Sequence, residues 1–161
     1  VMPVQTETTL KARMSHPAFV VPDAMQALQA LGEATKQSGL AQSIRDMVCL
    51  RISQINGCSV CVDMHARDMK RGGESFERIV AVVAWRDNPA FTPEERAALA
   101  LAEATTRLSD QADPVPDDIW NEAARHFDEK ALAGLLLTIA NINVWNRLNV
   151  AIRQVAGAWK G

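Results

Sequence analysis

Apolar residues recur along this chain at intervals of three and four, the spacing that paints one face of an α-helix, and no stretch alternates well enough to predict a strand. After Pro22, a first helix is predicted from Asp23, with Met25, Leu28 and Leu31 turned inward and Gly39 as its stop. Ile44, Val48, Ile52 and Ile55 form the next stripe, over about Ala41 to Ile55. It ends at Asn56-Gly57, where glycine can take the left-handed conformation that terminates a helix. A third helix is predicted from about Cys58 to Arg71, stopped by Gly72-Gly73, and Ser75 caps a fourth, Phe76 to Arg86, that ends before Asp87-Asn88-Pro89. Thr92-Pro93-Glu94-Glu95 is a strong start signal: a threonine cap, proline in the first turn, and a glutamate able to bond back to the cap. This fifth helix should reach about Leu108; a short sixth follows Pro116 with Ile119, Trp120 and Ala123, and Asp128 caps a long seventh through Ala131 to Gln154.

The seventh helix carries more apolar surface than one neighbour can cover. Leu135, Leu136 and Leu137 point in three directions about 100° apart, and Ile139, Ile142, Trp145 and Leu148 extend the surface. At roughly 39 Å it exceeds the radius of gyration of about 15 Å expected for a domain of this size, so part of it must lie at an edge. An uncovered patch there predicts a homo-oligomer.

Composition agrees with helices throughout. The 161 residues suit one domain, residues 1–161, with a flexible N-terminus over about 1–16. There are 25 alanines and no tyrosine, and prolines are absent between Pro22 and Pro89 and after Pro116. The fold class predicted is therefore all-α, a bundle of about seven helices. A formal net charge of -2 supplies no basic excess to follow a phosphate backbone, so no nucleic-acid partner is expected. The longest apolar run, around Ala131 to Leu137, is too short to predict a membrane span, and VMPVQTETTLKARM lacks the apolar region of a signal peptide, so a cytoplasmic location is expected.

Three cysteines without an export signal direct attention to thiol or metal chemistry. Cys58 and Cys61 stand three apart and His65 four beyond the second, which places all three within about 60° of one helix face. Both thiols fall in the first turn after the Asn56-Gly57 break, where unpaired N–H groups and the helix dipole favour a thiolate. His65 reaches Cys61 but not Cys58, so Cys61 is the thiol with a base beside it. Cys58 is expected to be the more exposed partner, suited to close a disulfide. Asp46, Cys49 and Ser53 share a face of the preceding helix. If the two helices pack antiparallel, Asp46 lies about 16 Å back from the turn and His65 about 13 Å forward, so the carboxylate can meet the imidazole and orient it. Cys49 by itself is a core cysteine. A Cys49/Cys58/Cys61/His65 set could instead hold zinc, although no second CxxC supports it. His16 and His126 are expected at the surface or hydrogen-bonded, the acidic run Asp110 to Asp118 as a solvated loop with a helix start, and Trp85, Trp120, Trp145 and Trp159 as packing or interface residues.

Leu50 to His65, LRISQINGCSVCVDMH, closely resembles the core of the AhpD-like alkylhydroperoxidase family within the carboxymuconolactone decarboxylase superfamily, where an acidic residue precedes a CxxC by twelve positions and a histidine follows it by four. Phe91 to Ala100 and Ile142 to Asn149 are similar as well, and the core motif here spans 46–65. The resemblance implies an all-helical thiol peroxidase that needs no cofactor or metal, with hydroperoxide as substrate and an external thiol reductant, of lipoyl or thioredoxin type, resetting it. It implies that Cys61 is peroxidatic, Cys58 resolving and His65 part of a proton relay, with Asp46 at the family's glutamate position. It implies trimers or hexamers. Two departures stand out: Asp46 is one methylene shorter than that glutamate, so its contact with His65 would pass through water, and Val60 replaces a histidine of the best-studied branch. The superfamily's decarboxylase branch generally lacks the cysteine pair, and a lyase using His65 is the remaining alternative.

Overall fold

A computed structural model describes residues 9–159. Among these, eight α-helices follow one another with no strand: α1 (Pro17–Val20), α2 (Ala24–Thr35), α3 (Gln42–Asn56), α4 (Ser59–Arg71), α5 (Phe76–Ala81), α6 (Pro93–Thr106), α7 (Asp117–His126) and α8 (Glu129–Ile152). None is long and apolar enough to cross a membrane. Seven correspond to the predicted ones. The addition is α1, a single turn whose proline start is capped by His16, ahead of the first stripe.

The predicted fourth helix divides. It is α-helical only to Ala81, and Val82–Asp87 continues as a 3₁₀ turn broken at Ala84 (φ −132°, ψ 44°). In a 3₁₀ turn residues three apart eclipse one another, which sends both Val82 and Trp85 into the core, and Trp85 Nε1 then donates to Glu103 at 2.9 Å. The capping box at Thr92 forms as expected, with Glu95 N donating to Thr92 Oγ1 and Thr92 N to Glu95 Oε2.

Helix α3 is the axis of the molecule, packed against α4, α6 and α8. Ile44, Val48 and Ile52 meet Leu101, Leu135 and Ile139 in the main core, while Met47 and Leu50 on its other side meet Met69, Val82 and Leu99. Each fully buried leucine or isoleucine contributes roughly 1.5–3 kcal/mol relative to an exposed position. Two arginines are drawn into this packing. Arg51 Nε donates to Glu103 Oε1 at 2.7 Å, and Arg45 Nη1 donates to the Leu40 carbonyl. Helix α8 approaches the α2–α3 connection closely at Gly134, where a Cβ would lie 2.1 Å from Ser38 Oγ.

Part of the N-terminal segment expected to be flexible is fastened down. Arg13 N donates to the Ile152 carbonyl at 2.8 Å and its Nη1 to that of Ala151 at 3.1 Å, and His16 is buried. Residues 1–8 of that segment lie outside the described residues.

Candidate active site

The turn between α3 and α4 creates the dithiol. Gly57 takes the left-handed conformation (φ 67°, ψ 33°), and Cys58 N returns to the Ser53 carbonyl at 3.0 Å, which closes α3 and reverses the chain. Cys58 is thereby the N-cap of α4, and its sulfur accepts from Cys61 N at 3.4 Å. Both sulfurs stand at the positive end of a helix dipole, where a thiolate is favoured. The pair is disulfide-bonded with Cα atoms 5.3 Å apart.

Cys58 is not the more exposed partner. It is 2% exposed and Cys61 3%, because Val60, Met64 and Trp159 pack around the pair. What separates them is the space each adjoins. Cys61 lines a cavity of about 1000 Å³ between α2, α3, α4 and α8, whereas Cys58 lines a smaller groove with Gly57, Ser59 and Val62.

The cavity gathers the titratable groups. Asp46, Cys49, His65 and Asp68 all line it beside Cys61. Asp46 and His65 share the cavity without a direct ion pair, and a nearer carboxylate meets the imidazole: His65 Nδ1 lies 3.3 Å from Asp68 Oδ2, one turn along the same helix, without hydrogen-bond alignment. That contact holds the Asp68 carboxyl below the usual carboxylate range against the opposing effect of burial, and Arg71 pairs with it as well. Asp46 instead accepts from Gln42 Nε2 at 2.6 Å. Burial, with the neighbouring Asp68 charge, raises the Asp46 carboxyl above its usual range, against the Gln42 hydrogen bond and His65. Two carboxylates with oppositely displaced acidities thus share one cavity with one imidazole. The i,i+3 spacing of His65 and Asp68 was visible in the sequence as the signal for this pair.

Three asparagines of α8, absent from the predicted site, hold the turn in place. Asn56 Nδ2 donates to Asn143 Oδ1 and to Asn146 Oδ1, both at 3.0 Å, and Asn146 Nδ2 donates to Ser53 Oγ at 3.1 Å. Asn149 Nδ2 donates to Cys61 Sγ at 3.4 Å. Asn146 and Asn149 are 0% and 2% exposed, and a buried amide persists only where such partners exist. The signal was the spacing of asparagines at 143, 146 and 149 in an otherwise apolar helix.

The free Cys49 has its thiol pushed up to about 12 by burial, with Asp46 and Asp68 adding to the effect, which disfavours its thiolate. Among the described residues no group of three or more His, Cys, Asp or Glu is arranged to hold a metal, so the four-residue zinc set is not assembled. His126 is hydrogen-bonded to Glu122 and His16 accepts from Ala18 N, as expected; His16 is buried and packs against Trp145 and Trp159 at the cavity's edge. Trp145 and Trp159 also line the cavity, and Trp120 is exposed.

An all-helical bundle carrying a CxxC at a helix start, backed by an acidic residue and a histidine, is an AhpD-like protein. The chain belongs to the carboxymuconolactone decarboxylase family, whose model matches residues 22–104. It is 36% identical to the uncharacterized protein YdfG of Bacillus subtilis over 139 residues, 86% of this chain and 93% of the relative. Among solved structures, a protein of unknown function from Agrobacterium tumefaciens, described as a candidate AhpD antioxidant defence protein, superposes with a TM-score of 0.85 at 33% identity, covering 92% of this chain and 100% of that one. The debrominase Bmp8 shares the fold alone, with a TM-score of 0.75 at 22% identity over 85% of this chain and 73% of its own.

Proposed function

We propose that this protein is a thiol-dependent peroxidase. The observation that carries the proposal is the Cys58–Cys61 pair: it is closed as a disulfide at the start of α4, and Cys61 adjoins a cavity that also holds His65. In the reduced protein the Cys61 thiolate attacks the distal oxygen of a hydroperoxide, the O–O bond breaks, and the departing alkoxide takes a proton to leave as an alcohol. His65 is the group placed to deliver that proton, with Asp68 beside it and Asp46 across the cavity. The resulting Cys61 sulfenic acid condenses with the Cys58 thiol, releasing water and forming the disulfide. An external dithiol, of lipoyl or thioredoxin type, then donates two electrons and two protons to restore both thiols. The family's link to antioxidant defence supports this assignment. A homo-oligomer is proposed too, since α8 leaves Leu137 and Val144 exposed on one outer stripe.

Thiol counting tests the chemistry. One equivalent of peroxide should remove two free thiols per chain reversibly, and Cys58→Ser should stop at a sulfenic acid on Cys61 that dimedone traps. Wild-type peroxide consumption by Cys61→Ser would overturn the assignment. Turnover of a lactone acid by the protein lacking both cysteines would establish a lyase on the same scaffold instead.

A further inference from the structure

We propose that His16 is a positioning residue for Cys61, acting through Asn149: its Nε2–H holds Asn149 Oδ1 and so turns the amide N–H onto the Cys61 sulfur. The inference deepens the proposed thiol chemistry and rests on Cys61 being its nucleophile.

Three observations meet at this point. Ala18 N donates to His16 Nδ1 at 3.1 Å, so Nδ1 is an acceptor and the neutral ring carries its proton on Nε2. His16 Nε2 and Asn149 Oδ1 are both buried and without a hydrogen-bond partner, a donor and an acceptor, and Asn149 stands one turn along α8 from Trp145, against which the His16 ring packs. The other end of the same amide donates to Cys61 Sγ at 3.4 Å. The proposed hydrogen bond pairs the two orphans while the amide nitrogen keeps its contact with the sulfur. The reversed amide would set donor against donor at His16 and an oxygen lone pair against a thiolate at Cys61. Both ends of Asn149 therefore select one orientation, and His16 is the group that enforces it.

The ring is held for that task. It lies 5.0 Å from Trp159 and 5.6 Å from Trp145 between centroids, and the segment before it is bonded to the end of α8 through Arg13. Burial lowers its basicity, partly opposed by Asn149, which favours the neutral ring. The titratable and charged groups lining the cavity beside Cys61 are Asp46, Cys49, His65, Asp68, Glu33, Lys36, Arg45 and Arg71, and the variants below leave all of them in place.

The measurement is site-resolved alkylation of Cys61 by iodoacetamide in the fully reduced, full-length chain as a function of pH, which requires no peroxide. A hydrogen bond to a charged group supports an expectation of about tenfold. His16→Phe, which keeps the aromatic packing, should slow Cys61 alkylation at mildly acidic pH by about that factor and leave the alkaline plateau unchanged. His16→Gln, which keeps a donor, should recover most of the loss. Asn149→Leu should lose as much as His16→Phe, and the double variant no more than either. A His16→Phe profile within twofold of wild type, an equal loss in His16→Gln, or a further loss in the Asn149→Leu background would overturn the proposal. Should His16→Phe fail to fold, the tautomer decides in the wild type: nitrogen-15 NMR should find the His16 proton on Nε2, and a proton on Nδ1 overturns the proposal. If the protein consumes no peroxide while the alkylation shifts appear, the peroxidase assignment fails and this inference stands.

Discussion

Replacing Glu103 by glutamine should cost the fold about 3 kcal/mol at neutral pH. Glu103 is 3% exposed; its Oε1 accepts from Arg51 Nε at 2.7 Å and Trp85 Nε1 at 2.9 Å, and Arg86 Nη2 lies 2.7 Å from Oε2. Arg86 and Arg107, both more than half exposed, are screened by water and add at most about 1 kcal/mol between them. The cost lies at Arg51, whose side chain is only 11% exposed and would keep an uncompensated buried charge. Breaking such a pair costs about 3–5 kcal/mol, and the residual exposure of Arg51 places the expectation at the lower end. For a chain of this length that is a fall in Tm of roughly 6–12 °C. Burial alone would raise the Glu103 carboxyl, but the ion pair with Arg86 and the hydrogen bonds from Trp85 and Arg51 outweigh it and hold it below its ordinary value. Because the folded value is the lower one, the stabilisation is complete above the unfolded value of about 4.5 and fades as pH falls through the folded value. Calorimetry should therefore show a large wild-type advantage at pH near 7 that shrinks progressively in acid. A Tm difference under about 2 °C at neutral pH, or one that grows on acidification, would refute the argument.

Gly134→Ala tests the closest helix approach: helix propensity alone predicts a gain of about 1 kcal/mol, but a Cβ 2.1 Å from Ser38 Oγ forces repacking, so thermal melts should show a net loss of about 2 kcal/mol. Asp68→Asn should slow single-turnover peroxide reduction more than Asp46→Asn, because Asp68 is the carboxylate in contact with His65. Asp46→Asn should also leave the Tm at pH near 7 unchanged or raised: a carboxyl whose folded value is raised costs stability once pH passes that value, and the amide removes the cost. Light scattering should give a multiple of the 17.6 kDa chain mass that collapses in Leu137→Glu/Val144→Glu, and a wild-type mass near 17.6 kDa would remove the oligomer.

Where the fold was legible in the sequence, local chemistry decided it. Gly57, Ser75, Thr92 and Asp128 act through their own backbone or a side chain reaching three residues on, and every one terminates or caps a helix as its residue type predicts. The CxxC and His65 were legible for the same reason, since one helix carries all three. Long-range effects were not. Whether Cys58 is exposed depends on Trp159, about a hundred residues away, and whether the helix after Ser75 holds to Arg86 depends on where Glu103 draws Trp85. A direct Asp46–His65 ion pair is missing because of side-chain direction. The two residues do share a cavity, but Asp46 turns to Gln42 four residues earlier on its own helix, leaving the imidazole to Asp68.

The buried face of α8 shows how one helix serves both core and site. Along its first half that face presents Leu132, Leu135 and Ile139 to the main core; beyond Ile142 it turns to Asn143, Asn146 and Asn149. Hydrophobic burial at those three positions would favour leucine, so amides there require partners that repay their desolvation, and each finds them on other elements or on its own backbone. Besides Thr106 of α6, the side-chain partners they share with the turn are Asn56, Ser53 and Cys61, residues that end α3 and begin α4. The dithiol turn is therefore located by directional hydrogen bonds, which fix a sulfur far more narrowly than apolar contact does. Because Leu137 and Val144 lie on the side of α8 away from the buried core face and are not among the residues lining the cavity, changes there should alter subunit association before they alter the chemistry at Cys61.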